Sequence, residues 1–559
     1  AGLVGNATLG DSGDTIINQG TIQAGAASRT LTIQPGTFTN DGTLQVNTGT
    51  LTINSANWLA GTGATNMAGG TLRMDGSYTT DSVNPAGFNY SSGTVLIDGQ
   101  FNNTGETLPL SNSTGSWRLD GGNITGGTIT SADGQGLTVS SNSSNRLTDV
   151  SVSGDVLLNS TFSQLEVYGA TTFDTIHVSG IGANVRFEPG STVGGNVVFS
   201  GTNVNVRSMT VDGTGTLTIP SGVTIETAAG LVGNATLGDS GDTIINQGTI
   251  QAGAASRTLT VQPGTFTNDG TLQVNTGTLQ VNTTTNLSGT TLSEGIWIAS
   301  GGTLRLPTGA DVVTNDASIT IDGVSSVIRS GTTGSVNALA NLASVTAAGS
   351  LTVSGGKALT TTVSDFSNSG DVTIGATSSF GSSASAGSYS QDSGSTIVDG
   401  TLTVPGGGPM NIDAGLLAGS GVVNADVTVG GSSAPVATLS PGSSPGKLDI
   451  NGDLTMTAFS TTVVEIGGTA VGIEYDQVNV SGAATLDGTL QIVFLDLANG
   501  FVPQVGDTFA VIPNSASRTG EFSTISDLQI DDEGLFFDIE YHGNGLDLIV
   551  DRLDAGAVT

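Results

Sequence analysis

The chain has 559 residues and a formal net charge of −34, from 13 basic and 47 acidic side chains. This charge argues against nucleic acid and anionic membranes as partners, and the lack of cysteine excludes a disulfide framework and any cysteine-based metal or redox site. Hydrophobic residues make up 36% of the chain, which is too much apolar surface for a disordered protein. No run of 18 apolar residues is present, so we predict no membrane-spanning segment.

A long internal duplication opens the chain. Residues 1–54 recur at 229–282 almost unchanged, and self-similarity of this kind indicates a repeat architecture. Three positions differ between the copies, namely Ile33 and Val261, Thr52 and Gln280, and Ile53 and Val281.

Short strand-like segments recur throughout the chain, each with Gly-Thr followed by an apolar, a variable and a second apolar residue. One such strand cannot bury its apolar face alone, but windings stacked about 4.8 Å apart form continuous apolar ladders. We therefore predict an all-β fold, a right-handed parallel β-solenoid. An array of β-sandwiches and a β-propeller, with repeats of about 100 and about 40–50 residues, are the alternatives. Examples of the segments begin at Gly20, Gly42, Gly49, Gly70, Gly93, Gly215 and Gly302.

The composition of the sequence changes near residue 431. A stretch rich in Gly, Ser and Pro is followed by longer apolar segments, which favour a compact C-terminal β module that closes the solenoid or assembles with partners. We predict three regions: 1–228 and 229–430 as the two solenoid halves, and 431–559 as this module. Its phenylalanines are Phe494, Phe501, Phe509, Phe522, Phe536 and Phe537.

The region from Tyr389 to about Val550 resembles the passenger region of bacterial autotransporter-like and related large β-helical surface proteins. The resemblance covers less than a third of the chain, and its motifs are structural rather than catalytic. It implies an exported protein of the cell surface, commonly an adhesive one. The matching segments are Tyr389-Ser-Gln-Asp-Ser-Gly, Gly415-Leu-Leu-Ala-Gly-Ser-Gly, Leu439-Ser-Pro-Gly-Ser-Ser-Pro-Gly, Tyr475-Asp-Gln-Val-Asn-Val and Val505-Gly-Asp-Thr-Phe.

The duplication also suggests an assembly interface. The copy at 229–282 follows the strand-like segment 216–227, whereas the copy at 1–54 offers the same surface without a preceding winding. An uncovered winding is a template for another chain, so we predict a head-to-tail homopolymer. The alternative is a trimmed chain, in which a missing upstream cap would cover this winding instead of another subunit. The predicted interface residues are Leu3, Val4, Thr8, Leu9, Ile16, Ile17 and Ile22.

Candidate catalytic residues are few. His177 and His542 lie in unrelated contexts, and no Gly-x-Ser-x-Gly motif surrounds a serine. A cluster of acids with an arginine on one outer face could hydrolyse glycosides, but ordinary exposed charges explain these residues better. We predict no catalytic residues and no enzyme. The closest approximation to such a cluster is Glu166, Asp174, Arg186 and Glu188.

Calcium is the only cofactor that the sequence suggests. The oxygen-rich turns at 11–14, 239–242 and 531–533 could each supply hard ligands. None of them has the spacing of a known calcium loop, so we interpret them as turns and predict no cofactor.

Three functions stay open from the sequence. The leading prediction is an extracellular structural protein, a subunit of a cell-surface fibre or filament. The alternatives are an adhesin passenger that binds surface glycans or proteins, and a carbohydrate-active β-helix enzyme. The chain starts at Ala1 inside a repeated pattern, so we expect any export signal to lie outside this numbering.

Overall fold

The computed structural model describes residues 5–333, 335–442, 444–495, 501–530 and 534–553. It is all-β, with 55% strand and 2% helix, and it confirms the predicted parallel β-solenoid, of about 20 turns. The chain divides into two units, unit 1 (Ala1–Thr285) and unit 2 (Asn286–Thr559). This division follows contacts, whereas the boundaries predicted at 229 and 431 follow repeats and composition.

The strands are short because each one spans only one side of a winding. Their residues alternate between the interior and the solvent, as at Thr249–Ala252, where Ile250 and Ala252 are buried and Thr249 and Gln251 are half-buried. Threonine and β-branched apolar residues suit this half-buried, pleated geometry.

Unit 1 contains 32 strands among the described residues, one α-helical turn, α1 (Thr80–Val83), and one 3-10 turn (Pro85–Gly87). The strands are β1 Ala7–Leu9, β2 Thr15–Asn18, β3 Thr21–Ala24, β4 Thr30–Ile33, β5 Thr37–Asn40, β6 Thr43–Val46, β7 Thr50–Ser55, β8 Asn57–Leu59, β9 Ala64–Thr79, β10 Phe88–Ile97, β11 Gln100–Asn102, β12 Thr107–Leu110, β13 Trp117–Leu119, β14 Asn123–Thr125, β15 Thr128–Ser131, β16 Leu137–Val139, β17 Arg146–Thr148, β18 Ser151–Leu158, β19 Gln164–Tyr168, β20 Thr172–Val178, β21 Asn184–Phe187, β22 Asn196–Phe199, β23 Arg207–Val211, β24 Thr216–Ile219, β25 Thr224–Thr227, β26 Ala235–Leu237, β27 Thr243–Asn246, β28 Thr249–Ala252, β29 Thr258–Val261, β30 Thr265–Asn268, β31 Thr271–Val274 and β32 Thr278–Val281.

Unit 2 contains 30 strands among the described residues and one 3-10 turn (Pro405–Gly407). The strands are β33 Leu287–Ser288, β34 Thr291–Ser300, β35 Thr303–Leu306, β36 Thr314–Asp322, β37 Val327–Ser330, β38 Ser344–Val345, β39 Ser350–Ser354, β40 Ala358–Thr361, β41 Asp365–Asn368, β42 Asp371–Ile374, β43 Ser379–Ser382, β44 Ser388–Gln391, β45 Ser395–Val398, β46 Thr401–Thr403, β47 Pro409–Ile412, β48 Gly415–Gly419, β49 Val422–Asn424, β50 Asp426–Val429, β51 Ala437–Pro441, β52 Lys447–Ile450, β53 Leu454–Met456, β54 Ser460–Ile466, β55 Gln477–Val480, β56 Ala483–Leu486, β57 Thr489–Phe494, β58 Thr508–Ile512, β59 Ser517–Gly520, β60 Thr524–Ser526, β61 Leu535–His542 and β62 Gly545–Arg552.

In the duplicated region of unit 1, each winding supplies three strands. Strand β26 pairs with β29, β27 with β30, and β28 with β31, all parallel and in register. The same three-strand interval recurs in unit 2, where β40, β43, β46, β49, β52 and β55 form one sheet. Side chains at equivalent positions of successive windings therefore form columns.

The core of unit 1 is built from such columns. One inward column passes without a polar break through nine strands, and each of its members is fully shielded from solvent. Stacked apolar side chains shield one another from water, so the column stabilises every winding that contributes to it. Its members, in register order, are Leu51, Leu72, Val95, Trp117, Leu137, Val156, Ile176, Val197 and Ile225.

The recurrent Gly-Thr at the start of a strand has a steric reason. A Cβ atom on Gly42 would lie 2.1 Å from the carbonyl oxygen of Gly20, and one on Gly270 would lie 2.3 Å from that of Gly248. Successive windings approach so closely at this turn that only glycine fits.

The C-terminal part of unit 2 adds antiparallel strands. Parallel pairing continues from β54 through β57 to β60, while β58, β62 and β61 form a separate antiparallel sheet. Phe509 packs between Tyr475 and Phe537, with ring centroids 5.3 and 5.9 Å away. This is the aromatic core that the phenylalanine-rich tail predicts.

The two duplicated copies differ in what lies against them. Strands β26, β27 and β28 pair with β23, β24 and β25 on one side, whereas in the described residues β1, β2 and β3 pair only with β4, β5 and β6. Leu237 is fully buried, and its counterpart Leu9 is 38% exposed.

The other predicted interface residues follow the same trend. Ile16 and Ile22 are half-buried, while their counterparts Ile244 and Ile250 are fully buried; Thr8 is exposed, and Ile17 is 56% exposed. Leu3 and Val4 lie outside the described residues.

The duplication provides a matched pair of substitutions. We expect Leu237→Asp to cost about 3 kcal/mol or more, because it places an unpaired charge in the core. The same change at Leu9 should cost under about 1 kcal/mol, since that side chain already meets solvent. Thermal unfolding and the temperature at which protease cleavage begins measure both effects. Equal losses in the two variants would contradict the assigned burial.

Candidate binding groove on the outer face of unit 1

One outer face of unit 1 carries two polar columns on β9, β11, β14, β17 and β19. The first runs through Ser77, Gln100, Asn123, Arg146 and Glu166 at directly paired positions. The second column lies two residues further along each strand and consists of Thr79, Asn102, Thr125, Thr148 and Tyr168.

Two adjoining depressions lie on this face and share Gln100. Their volumes are about 330 Å³ and about 260 Å³. We call them together the polar groove. The outward side chains that line it are Asn57, Ser77, Thr79, Gln100, Asn102, Thr125, Asn123, Ser144, Arg146 and Glu166.

Aromatic residues support the larger depression from inside. Trp58, Tyr78 and Phe101 also line it, yet none is more than 3% exposed. The ring centroids of Trp58 and Tyr78 are 5.7 Å apart, and those of Tyr78 and Phe101 are 5.1 Å apart and stacked. Close-packed rings of this kind hold the strands above them in place.

Side-chain hydrogen bonds connect the amides of the polar groove. Asn123 Nδ2 donates to Gln100 Oε1 and to Thr125 Oγ1, both at 3.3 Å. Thr148 Oγ1 donates to Asn123 Oδ1, also at 3.3 Å. These contacts orient Asn123, while Asn57, Ser77, Gln100 and Asn102 remain exposed.

At one end the polar groove reaches a charged cluster. Glu166 accepts hydrogen bonds from Arg146, at 2.8 and 2.5 Å, and from Arg186 at 2.6 Å. Arg186 Nη1 also lies 3.3 Å from Asp212 Oδ1. Two guanidinium groups thus face two carboxylates, and the cluster is locally neutral. Hydrogen bonding to Glu166 raises the pKa of Arg146.

Tyr168 belongs to the same cluster. Its hydroxyl donates a hydrogen bond to the Asp212 carboxylate, and the Arg146 guanidinium lies 4.2 Å from its ring centroid. The hydrogen bond to Asp212 is the main reason that the pKa of Tyr168 rises to about 12. A cation over the ring and an acceptor at the hydroxyl fix the orientation of this side chain.

The structure brings together only part of the acidic cluster weighed from the sequence. Glu166 and Arg186 are in contact, but Asp174 lies on β20, in a different sheet from β19 and β21. Glu188 accepts a hydrogen bond from the backbone N–H of Gly169 at 2.8 Å. Glu166 is 7% exposed between two arginines.

Neither histidine lines the polar groove, and each lies close to a different carboxylate. His177 Nε2 lies 3.1 Å from Asp155 Oδ2, and His542 Nε2 lies 3.4 Å from Asp547 Oδ1.

The calcium candidates form turns. Asp14 Oδ2 accepts a hydrogen bond from the N–H of Asp11, and Asp11 Oδ1 accepts one from the N–H of Gly13, both at 3.0 Å. Asp239 and Asp242 repeat this arrangement in the second copy. Within the described ranges no group of three or more His, Cys, Asp or Glu side chains could hold a metal ion. The candidate at 531–533 lies outside those ranges.

Removing the Asp212 charge tests the cluster. We expect Asp212→Asn to lower the pKa of Tyr168 from about 12 toward its ordinary value near 10, since the phenolate no longer faces a carboxylate. The ¹³C chemical shift of the tyrosine ζ carbon, followed against pH, reports this pKa. Tyr389 of unit 2, whose pKa is raised by burial, is the internal control and should not move. An unchanged Tyr168 would contradict the hydrogen bond.

Comparison with known proteins finds a likeness among solved structures. No family model matches the sequence, and no curated protein matches it. Among solved structures, the chain is similar to the Haemophilus influenzae Hap adhesin, with 11% sequence identity and a TM-score of 0.21. The match covers 96% of this chain and 64% of that chain. At this TM-score the likeness adds nothing to the fold assignment, which rests on the strand pairing. No helix among the described residues has the length and apolar character needed to cross a membrane.

Proposed function

We propose that this chain is a non-enzymatic adhesive protein of the bacterial cell surface, which binds its partner along the outer face of its solenoid. The observation that carries the proposal is the register of the strands. It arranges outward side chains into uninterrupted polar columns, from Ser77 to Glu166 and from Thr79 to Tyr168. A long, regular and open surface of this kind suits repeated weak contacts with an extended partner.

The charged groups on this face support binding rather than catalysis. A general acid or a nucleophilic carboxylate must be free to exchange a proton or attack a substrate. Glu166 is held by Arg146 and Arg186. Arg73, which lies earlier on β9, is likewise paired with Asp98 and Asp120.

The composition supports a surface location. A net charge of −34 keeps a long β protein soluble and limits lateral association through exposed strand edges. The resemblance of the region from Tyr389 to about Val550 to exported β-helical passengers points the same way.

An adhesion assay tests the proposal. Beads coated with the purified chain are flowed over bacterial lawns and epithelial monolayers. We expect saturable retention that free chain competes away, because the outer face presents many equivalent contacts. In parallel, the chain is incubated with soluble polysaccharides, and new reducing ends are measured. Beads that wash off every surface would refute the adhesive role, and release of reducing ends would refute the non-enzymatic one.

A fibre subunit is the second candidate function, in which another copy of the chain would cover the edge formed by β1, β2 and β3. Leu9 is exposed there, although its counterpart Leu237 is covered by the preceding winding. The strand edge at β59, in the C-terminal part of unit 2, is less available to cover β1 to β3 of another copy. In β59, the backbone N–H of Arg518 donates to the carbonyl oxygen of Gly543, and its Nε donates to that of His542, so the β61–β62 hairpin already contacts this edge.

Sedimentation of the purified chain at increasing concentration separates the two candidates. A head-to-tail fibre predicts growing species that Leu9→Asp abolishes, because the charge would be buried at each junction. An adhesive monomer predicts one sedimentation coefficient at every concentration, the same in Leu9→Asp as in the unaltered chain.

A further inference from the structure

The polar groove carries little charge, although the chain as a whole is strongly acidic. The protein carries a net charge of −34, yet the larger depression is lined by amides, hydroxyls and aromatic residues, with no ionisable acid or base other than the buried Tyr78. In the smaller depression Arg146 is paired with Glu166. The polar groove is therefore a neutral binding surface on a strongly acidic protein.

Its side chains suit a ligand that is rich in hydroxyl groups. An exposed amide such as that of Gln100 or Asn102 offers two N–H donors and a carbonyl acceptor, and each Ser or Thr hydroxyl both donates and accepts. Vicinal hydroxyls of a sugar need this mixture of donors and acceptors. A charged ligand instead requires opposite charges that are free to pair, and the arginines at the end of the polar groove are already neutralised.

The strand register sets the direction in which a ligand would lie. Ser77, Gln100 and Asn123 occupy paired positions on adjacent strands, and adjacent strands are about 4.8 Å apart. Similar polar groups therefore recur across the strands, parallel to the stacking of the windings. A linear polymer lying in this direction would meet a new set of partners at each winding, and linked contacts add to its affinity.

The polar groove is also preorganised. Asn123 is oriented by Gln100 and Thr125, and the strands beneath are packed on the stacked rings of Tyr78 and Phe101. The packed strands and the fixed Asn123 side chain lower the conformational entropy that binding would cost, while Gln100 and Asn102 stay exposed to the ligand.

We propose that the polar groove binds a neutral, linear polysaccharide that runs across the strands, with Gln100 as the central hydrogen-bonding residue and Asn123 as the residue that positions it. This inference rests on the proposed adhesive function and names the chemical class of its ligand. An acidic polysaccharide is disfavoured because the chain as a whole repels it.

The chain contains a matched control for these two residues. Gln45 and Asn66 form the same kind of cross-strand pair on β6 and β9, where Asn66 Nδ2 donates to Gln45 Oε1 at 3.1 Å. This pair does not line the polar groove. The double variants Gln100→Ala with Asn123→Ala, and Gln45→Ala with Asn66→Ala, thus lose the same groups in different places.

Native affinity electrophoresis of the full chain provides the test. The acidic chain migrates through gels that contain dextran, mannan, laminarin or, as the acidic comparator, polygalacturonate. We expect at least one neutral polysaccharide to retard it, with an affinity that falls about tenfold or more in the groove variant and less than about twofold in the control variant. Added salt should leave this affinity unchanged, since no net charge is neutralised. Circular dichroism of both variants confirms that they fold.

Three outcomes would overturn the inference. They are retardation by none of the neutral polysaccharides, equal losses in the two double variants, and stronger retardation by polygalacturonate. If coated beads still adhere in any of these cases, the adhesive function stands, and the inferred ligand class or, for equal losses, its position in the polar groove is wrong. If the beads fail to adhere as well, both the inference and the proposed adhesive function are wrong.

Discussion

In-register parallel pairing of successive windings is the constraint on which the rest of this structure depends. A backbone hydrogen-bond ladder fixes each residue directly above its partner, so an inward side chain must suit the one stacked on it, either apolar on apolar or, as at Asn246 and Asn268, amide hydrogen-bonded to amide at 2.8 Å. The column from Leu51 to Ile225 meets this requirement, and it accommodates Trp117 between Val95 and Leu137. The same ladder brings backbones so close at the turns that Gly42 and Gly270 cannot be replaced without a clash.

The register that builds the core also builds the outer face. Arg146 and Glu166 are 20 residues apart in sequence but adjacent in space, as are Gln100 and Asn123 at a separation of 23. Polar side chains that would be isolated on a globular surface therefore become columns, and charges within a column can neutralise one another. This explains how a chain with a net charge of −34 presents a neutral groove.

The sequence was sufficient to predict the strands, the parallel stacking and the aromatic C-terminal core, because all three follow from local periodicity and composition. The sequence did not reveal the polar groove. The number of residues between stacked positions varies from one winding to the next, so the register of a strand does not predict which residues lie above it. The same uncertainty misplaced Asp174, which was grouped with Glu166 but lies in another sheet. Alternating amides at Gln100, Asn102 and Asn123 were the available signal, but their alignment required the structure.

The duplicated segment shows that the burial of a side chain in a solenoid depends on whether a neighbouring winding covers it, rather than on its local sequence. Leu237 and Leu9 sit in the same local sequence, yet one is fully buried and the other is 38% exposed, and the difference is the presence of β23 to β25. An edge winding is therefore a poor guide to a specialised interface, because any winding at that position would expose its ladder. The polar groove is different, since its pattern of amides and hydroxyls lies in the middle of unit 1, where both neighbouring windings are present. Its chemistry is a property of its own residues, and for this reason it is the stronger candidate for the site where the chain meets its partner.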